Sequence, residues 1–474
     1  PIRAGAPLDP TRSSMNAADA GAGHSDAHTH GHALVGGWAV WARDRTLRVV
    51  LVTLGIAGLA TVVGIVALWP GGEGRRTAIA TADEIGLATD RLTATVEEVL
   101  DQRCSYSSAE DPQDCRVLTL NLREGPEAGS VVTLPEINLD IERYVPDLSV
   151  GEQVVLGYED STNTYFYADR ERRPVLLWLT AVFAVMVIAL ARFRGVLALL
   201  SMGATLVVLV AFVAPSVLDG NDPLLVAVVA ASTIAFVSLY LTHGFTPTTT
   251  VALAGTLAAL ALTLGLSWLF FELAQFTGLA TEEALILPFV AEELSVSSLL
   301  LGGAIIGALG ALDDVTVTQV ATVAQLLYRS PELPRRELVA SGIRVGRDHI
   351  ASTVNTLLLA YAGASMPLLL LFAVSVQSLG MVANSEIIAI EIVRTLCGSI
   401  GLVAAVPLTT ALAAAVLHPT AAAVDIASEP RKDSPDVVDH RAPGPDEAAE
   451  PQLGDQESPL DGPSWDDFAP EDST

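Results

Sequence analysis

Long apolar runs restrict the folds open to this chain more than any other feature of its sequence. A helix that crosses a bilayer needs about 20 mostly apolar residues, and about eight such runs occur along the chain. The mean hydropathy of +0.48 agrees, because soluble domains rarely reach that value. We therefore predict a mostly α-helical fold, a polytopic membrane helix bundle. The predicted spans are Val49–Trp69, Val175–Ala191, Gly195–Ala214, Leu224–Leu241, Thr250–Phe271, Val296–Leu327, Ile350–Ser375 and Ile392–Leu417.

One long polar segment separates the first span, in residues 48–70, from a seven-span domain in residues 174–418. This segment, residues 71–173, contains five short stretches of β-favouring residues with turn signals between them. The pattern predicts one small β domain, OB- or SH3-like, between spans 1 and 2. Its predicted strands are Leu92–Leu100, Arg116–Leu122, Ser130–Leu134, Gln153–Tyr158 and Thr164–Tyr167.

Arginines in the short loops predict the orientation of the spans. Arg192 and Arg194 follow the second span, and Arg329, Arg335 and Arg336 follow the sixth. Because arginine-rich loops stay on the cytoplasmic side, both termini are predicted to be cytoplasmic and the β domain extracytoplasmic. The first span lacks a small-x-small cleavage site after it, which favours a retained signal anchor in the plasma membrane, the inner membrane of the cell.

Both ends of the chain have the composition of disordered segments. Residues 1–47 are predicted to form a cytoplasmic tail, and residues 419–474 an acidic cytoplasmic tail that is rich in proline. The formal net charge of -28 reflects acids in this tail and outside the spans. The chain has no basic stripe, so we predict no nucleic-acid partner.

The cysteines and histidines suggest two further features, a disulfide and a weaker candidate for metal binding. Cys104 and Cys115 lie in the β-rich segment, and an extracytoplasmic location favours a disulfide over two free thiols. Four histidines in the N-terminal tail form a tract that can hold a transition metal loosely, although a flexible tail without metal is the commoner outcome. We predict no metal site and no cofactor. These weak candidates are His24, His28, His30 and His32.

The run from Val296 to Tyr328 has the most informative residues. Wound at about 100° per residue, it places glycine and alanine at the start of one helix side and polar groups further along it. The small residues predict close packing against another helix, and an intramembrane carboxylate predicts an ion, proton or substrate site. The alternative is a solvated, structural Asp pair at the inner end of the span. The packing candidates are Gly303, Gly307 and Ala311, and the site candidates are Asp313, Asp314, Thr318, Thr322 and Gln325.

The seventh predicted span has a second polar side that would face the Asp314 side. Capping and packing roles for the same residues explain the pattern equally well. The additional site candidates are Asp348, Ser352, Asn355 and Thr356, with Gly363 as a packing residue.

Enzymatic motifs are missing from the sequence. Gly310-Ala311-Leu312-Asp313 differs from the Gly-x-Gly-Asp turn of intramembrane aspartyl proteases, and no P-loop, nucleophile elbow or His-Glu-x-x-His helix occurs. We therefore predict that the chain is not an enzyme.

Several motifs resemble the YibE/F family of bacterial multipass membrane proteins. The resemblance covers about residues 50–420 and implies a cell-membrane protein without assigning it a reaction. It favours Asp314 over Asp313 as the working carboxylate, because relatives can carry an uncharged residue at the first position. The residues that carry it are 307–315 (GALGALDDV), Gly346-Arg347-Asp348 with Asn355-Thr356-Leu357, Ala360-Tyr361-Ala362-Gly363, 394–401 (RTLCGSIG) and 405–410 (AVPLTT).

Two functions follow from these observations. The first is a transporter or transport component that moves an unknown small solute or ion, with proton coupling through Asp314. The second is a non-transporting scaffold or assembly factor, whose extracytoplasmic β domain binds a partner. The lipid bilayer is the expected surrounding in both, and a homo-oligomer is compatible with either.

Overall fold

A computed structural model describes residues 45–418, except 86–89, 109, 126, 143–145, 160–161, 163, 292–293 and 375–376. The His-rich tract and the acidic tail therefore lie outside the described residues. The first helices are α1 (Arg45–Ala67) and α2 (Glu73–Glu84), and a β domain follows them. The later helices are α3 (Arg173–Val207), continued by a π-helical turn at Val208–Val213 and by α4 (Ala214–Leu218), α5 (Pro223–His243), α6 (Pro247–Ala274), α7 (Glu282–Val290), α8 (Val296–Arg329), α9 (Arg335–Ala364), α10 (Met366–Ala373), α11 (Leu379–Asn384) and α12 (Glu386–Leu417).

Six helical segments of the described chain are long and apolar enough to cross a membrane. They are Arg45–Ala67, Arg173–Leu218, Pro223–His243, Pro247–Ala274, Val296–Arg329 and Glu386–Leu417. This number differs from the predicted eight for two reasons. Predicted spans two and three fall within the single 46-residue segment Arg173–Leu218. Predicted span seven falls across α9 and α10, and α9 contains charged residues that keep it out of the six.

The 46-residue segment is sharply bent at one residue. Arg192 has φ 53° and ψ -129°, a non-helical conformation in the interior of the segment. A Cβ atom on Gly195 would lie 2.5 Å from the carbonyl oxygen of Val187. In a straight helix these two residues are about 12 Å apart along the axis. The chain therefore folds back at Arg192, between the two apolar runs that the sequence predicts as separate spans.

The β domain is a single antiparallel sheet of six strands. Hydrogen-bonded neighbours follow the order β3-β2-β1-β5-β6, and β4 pairs with β2. A bulge between Val96 and Glu98 interrupts the register of β1 and β2, and such bulges bend a strand. The strands are β1 (Asp90–Arg103), β2 (Asp114–Leu122), β3 (Val131–Thr133), β4 (Ile137–Asn138), β5 (Gln153–Glu159) and β6 (Thr164–Arg170).

Two cross-links hold one end of this sheet. A disulfide joins Cys104, just after β1, to Cys115 in β2, which is the pairing that the sequence favours. The buried Arg116 donates from Nε and Nη2 to the two carboxylate oxygens of Asp101, at 2.7 and 2.9 Å. These hydrogen bonds hold the pKa of Asp101 below its usual range. The β1–β2 pair is therefore tied both covalently and electrostatically.

Helix α8 is the central element of the helical bundle and contacts α5, α6, α9 and α12. Its apolar side carries Leu301, Ile305, Leu309 and Leu312, all buried in the common core. These residues recur at three- and four-residue intervals, so they form one continuous stripe along the helix. This stripe fixes the rotation of α8 and therefore decides where its carboxylates point.

Candidate functional site

A cavity of about 540 Å³ adjoins the middle of α8 and contains both of its carboxylates. We call it the Asp313 cavity. Its volume falls within the range of about 300–1,000 Å³ that is typical of small-molecule sites. Helices α3, α5 and α8 and the bend at Arg192 form its wall, so residues far apart in sequence meet there. The lining residues are Ala191, Arg194, Ala198, Ser238, Thr242, His243, Gly310, Asp313, Asp314 and Val317.

Asp313 is the more enclosed of the two carboxylates. Its Oδ2 accepts a long hydrogen bond of 3.5 Å from the hydroxyl of Ser238 on α5. Its Oδ1 is buried and has no hydrogen-bond partner among the described residues. An ionised carboxylate that lacks a partner is costly to bury, and the cost disappears when it binds a proton or a cation. This oxygen is therefore the strongest chemical feature of the cavity.

Asp314 points in a different direction and is far more accessible. Its side chain is 72% exposed, and its Oδ2 lies 4.0 Å from Nε2 of His349 on α9. That separation is too long for a hydrogen bond. The Nε2 atom of His349 has no hydrogen-bond partner in the part of the chain that the structure describes. A charged imidazole at His349 would attract an ionised carboxylate at Asp314 across this gap.

The predicted polar seam between α8 and α9 does not form within one chain. Residues Asp348, Ser352, Asn355 and Thr356 of α9 are all exposed, as are Thr318 and Gln325 of α8, while Thr322 is half-buried. The α9 residue that approaches Asp314 is His349 instead, one position after Asp348. The reason is the rotation of α9, which buries Leu338, Gly342 and Gly346 against α8 and α12.

The predicted packing residues also need correction. A Cβ atom on Gly303 or Gly363 would meet nothing within 4 Å, and one on Gly307 would meet only the hydroxyl of Tyr361, at 3.3 Å. Ala311 is half-buried. Among the glycines of α8, the one that permits close packing is Gly302, where an added Cβ atom would lie 2.7 Å from Cβ of Ala227 on α5. Helix α8 thus packs through its apolar stripe and leaves most of its small-residue side uncovered.

Two buried polar residues of α8 were absent from the sequence prediction. The amide nitrogen of Gln319 donates to the carbonyl oxygen of Gly342 at 2.8 Å and to Oγ1 of Thr410 at 2.7 Å, which connects three helices. Thr316 Oγ1 lies 2.6 Å from Oγ1 of Thr256 on α6. Both lie on the buried side of α8, together with Leu312 and Val315. The helical spacing of these apolar residues could therefore have predicted that Thr316 and Gln319 are buried.

Metal-binding clusters of three or more His, Cys, Asp or Glu side chains do not occur among the residues that the structure describes. The Asp313 cavity therefore offers carboxylates, a guanidinium and an imidazole without a complete set of metal ligands. The histidine tract in the N-terminal tail lies outside these residues.

The comparisons with known proteins give one match. A family model described as YibE/F-like protein matches residues 179–419, slightly more than half of the 474-residue chain. The matched region begins in α3 and includes every residue that lines the Asp313 cavity. No curated protein matches the chain. No solved structure matches it either.

Proposed function

We propose a transport function for this chain, which belongs to the YibE/F-like family. In this proposal the chain is a transporter or transport component of the plasma membrane, and the Asp313 cavity is its ion or solute site. One observation carries the proposal, namely the buried Oδ1 of Asp313 that lacks a hydrogen-bond partner among the described residues and adjoins a cavity of about 540 Å³. A carboxylate at membrane depth costs at least about 2.5–3.5 kcal/mol, and such residues usually serve a function.

The position of Asp313 along its helix supports a location inside the bilayer. Asp313 lies near the middle of the 34-residue helix α8, and its partner Ser238 lies five residues before the end of α5. At about 1.5 Å per residue, Ser238 is about 8 Å from that helix end. Arg194 and His243 lie at the same end of the bundle, where arginine-rich loops predict the cytoplasmic side. The cavity would then open toward the cytoplasm from within the inner leaflet.

The proposed topology has eight spans and two cytoplasmic termini, with the β domain outside the cell. The bend at Arg192 divides Arg173–Leu218 into two crossings, and α9 supplies the seventh. The Cys104–Cys115 disulfide supports an oxidising location for the β domain. We propose that this domain is OB- or SH3-like and that the chain has no catalytic activity.

In the proposed mechanism Asp313 exchanges a proton for a cation or couples its protonation to solute movement. Neutralising this carboxylate removes the cost of burying a charge between α5 and α8 and changes how tightly the two helices associate. Asp314 lines the cavity and is 72% exposed, so it would pass protons between solvent and Asp313, with His349 beside it. The resemblance favours Asp314 as the working residue, whereas the burial of Asp313 supports a role for both.

The test is a flux assay on the purified full chain in liposomes that contain a pH-sensitive dye. Potassium, sodium and tetraethylammonium chloride are added in turn, and dissipation of an imposed pH gradient is recorded. We expect Asp313→Asn and Asp314→Asn each to reduce solute-dependent flux by about tenfold or more. The matched control is Glu332→Gln, an exposed carboxylate in the loop between α8 and α9 and outside the cavity, which should leave flux unchanged. Flux equal to wild type in both cavity variants would remove the proposed role of the cavity.

The second candidate function is a scaffold whose β domain binds a partner. It is favoured by the β domain itself, which exposes Ile141, Tyr106 and Val150. A chain that lacks residues 77–172 separates the two functions. If this chain loses all biological activity in cells while Asp313→Asn and Asp314→Asn retain it, the scaffold function is correct. Retained flux by the shortened chain supports transport.

A further inference from the structure

A second cavity, of about 360 Å³, lies at the opposite end of the helical bundle. We call it the Trp268 cavity. It is formed where α6 ends and where α5 and α8 begin, so it would face the outer side in the proposed topology. The lining residues are Leu224, Trp268, Phe271, Glu272, Gln275, Phe276, Ser297, Ser298 and Leu301.

One wall of this cavity combines aromatic rings with a carboxylate. Trp268 and Glu272 are four residues apart on α6, so their side chains project from the same side of the helix. Phe271 and Phe276 close the wall as an edge-to-face pair with ring centroids 5.1 Å apart. Trp268 is 51% exposed, which leaves its ring accessible from the cavity. An indole ring beside a carboxylate is a favourable environment for an organic ammonium group.

The charges of the lining favour a cation over an anion. Glu272 is the single charged residue among the lining residues, and no basic side chain occurs among them. The start of α8 would otherwise attract an anion, but its amides are already engaged. Ser298 N–H donates to Oγ of Ser295 at 3.3 Å, and Leu299 N–H donates to the carbonyl oxygen of Ser295 at 3.0 Å. A Cβ atom on Gly278 would lie 2.8 Å from the amide nitrogen of Ser297, so the loop covers that amide as well.

We infer that the Trp268 cavity binds an organic ammonium group, with the cation against the Trp268 ring and its charge facing the Glu272 carboxylate. Gln275 and the serines supply polar contacts around this group, and Phe271 and Leu301 contact its alkyl substituents. The chemistry is shared by soluble organic cations and by the choline or ethanolamine headgroup of a lipid. The inference goes beyond the proposed transport function, because equilibrium binding does not require flux.

The experiment is calorimetric titration of the purified full chain in detergent with tetraethylammonium chloride, against sodium chloride at equal ionic strength. We expect saturable binding of wild type, weakened about tenfold or more by Glu272→Gln and about three- to tenfold by Trp268→Leu. Glu272→Asp and Trp268→Phe should retain part of the affinity. The matched controls are Glu283→Gln and Trp178→Leu, which change exposed residues outside the cavity.

The source of the cation is distinguished by repeating the titration in nanodiscs. If phosphatidylcholine in the nanodisc raises the apparent Kd for tetraethylammonium above its value in phosphatidylglycerol alone, a lipid headgroup competes for the cavity. An unchanged Kd assigns the cavity to soluble cations. A wild-type chain that shows no saturable binding overturns the inference. Equal affinity in wild type and Glu272→Gln, with unchanged thermal unfolding, overturns it as well. Loss of flux in the Asp313 variants with intact tetraethylammonium binding separates the two sites.

Discussion

The hydroxyl of Ser238 lies 3.5 Å from Oδ2 of Asp313, and this contact joins α5 to α8 at the Asp313 cavity. Ala227 and Gly302 touch across the same two helices with the same sequence separation. The two contacts are eleven positions apart in each helix, so the helices are parallel and keep one register between them. This register holds Asp313 in the cavity wall, and it depends on the close packing of Ala227 against Gly302 nearer the start of both helices.

The Asp313 carboxylate should reduce the stability of the chain, because its Oδ1 is buried without a partner among the described residues. Asp313→Asn replaces that oxygen without changing the shape of the side chain. We expect a gain of about 1 kcal/mol in the free energy of unfolding, visible as a higher apparent melting temperature in detergent at pH 8. Asp314→Asn, whose carboxylate is 72% exposed, is the control and should change it by less than about 0.5 kcal/mol. A destabilised Asp313→Asn chain would contradict this account of the buried oxygen.

Gln319 should be essential for holding α8, α9 and α12 together. Gln319→Ala leaves the carbonyl of Gly342 and the hydroxyl of Thr410 without this donor in a buried position. We expect the free energy of unfolding to fall by about 1–3 kcal/mol, since two hydrogen bonds of about 0.5–1.5 kcal/mol each are lost while the Thr410 hydroxyl still donates to the carbonyl oxygen of Val406. Gln325→Ala on the exposed side of the same helix is the matched control. Equal melting temperatures for the two variants would show that the three-helix connection contributes little.

Adjacent glycines of α8 should respond in opposite ways to the same change. In Gly302→Ala the new methyl group would lie 2.7 Å from Cβ of Ala227, and we expect the free energy of unfolding to fall by about 1–3 kcal/mol. In Gly303→Ala the methyl group meets nothing within 4 Å, and the higher helix propensity of alanine should stabilise the chain by up to about 1 kcal/mol. Apparent melting temperatures of the two variants check the rotation of α8. If Gly303→Ala is the more damaging change, the small-residue side is packed in the assembled protein.

Acid should loosen the β domain through the Asp101–Arg116 pair. Hydrogen bonds from Arg116 hold the pKa of Asp101 below its usual value. A lowered pKa contributes stability above the unfolded-state value of about 3.9, and this contribution is lost as the pH falls through the folded-state pKa. The protection factors of the β1 and β2 amides in the full chain, which correct exchange rates for the intrinsic pH dependence of amide exchange, should therefore fall below about pH 4.

Asp101→Asn should show lower protection factors already at neutral pH, with a loss of about 1 kcal/mol in the local opening free energy, because the Asp101 side chain is 56% exposed and Asp147 still pairs with Arg116. Asp111→Asn, an exposed acid in the loop between β1 and β2, serves as the control. Protection factors that do not depend on pH between about 3 and 7 in wild type would exclude a contribution from this pair.

The sequence by itself determined the membrane-protein class, the β-rich insertion and the pairing of Cys104 with Cys115. These properties depend on local composition, on the length of apolar runs and on the proximity of two cysteines, all of which can be read without knowing the packing. The family resemblance was readable for the same reason, since its motifs are contiguous. The family model supports it over residues 179–419.

The tertiary structure alone decided which side of α8 is buried. Sequence reasoning placed Gly303 and Gly307 in the packed interface, but the buried stripe runs through Leu309 and Leu312. A helical pattern fixes which residues share a side and leaves open which neighbour that side meets. Ser238 and His349 approach the carboxylates because α5 and α9 pack against α8, and Arg194 lines the same cavity because α3 packs against α5. These long-range contacts have no signature in the spacing of residues along one helix.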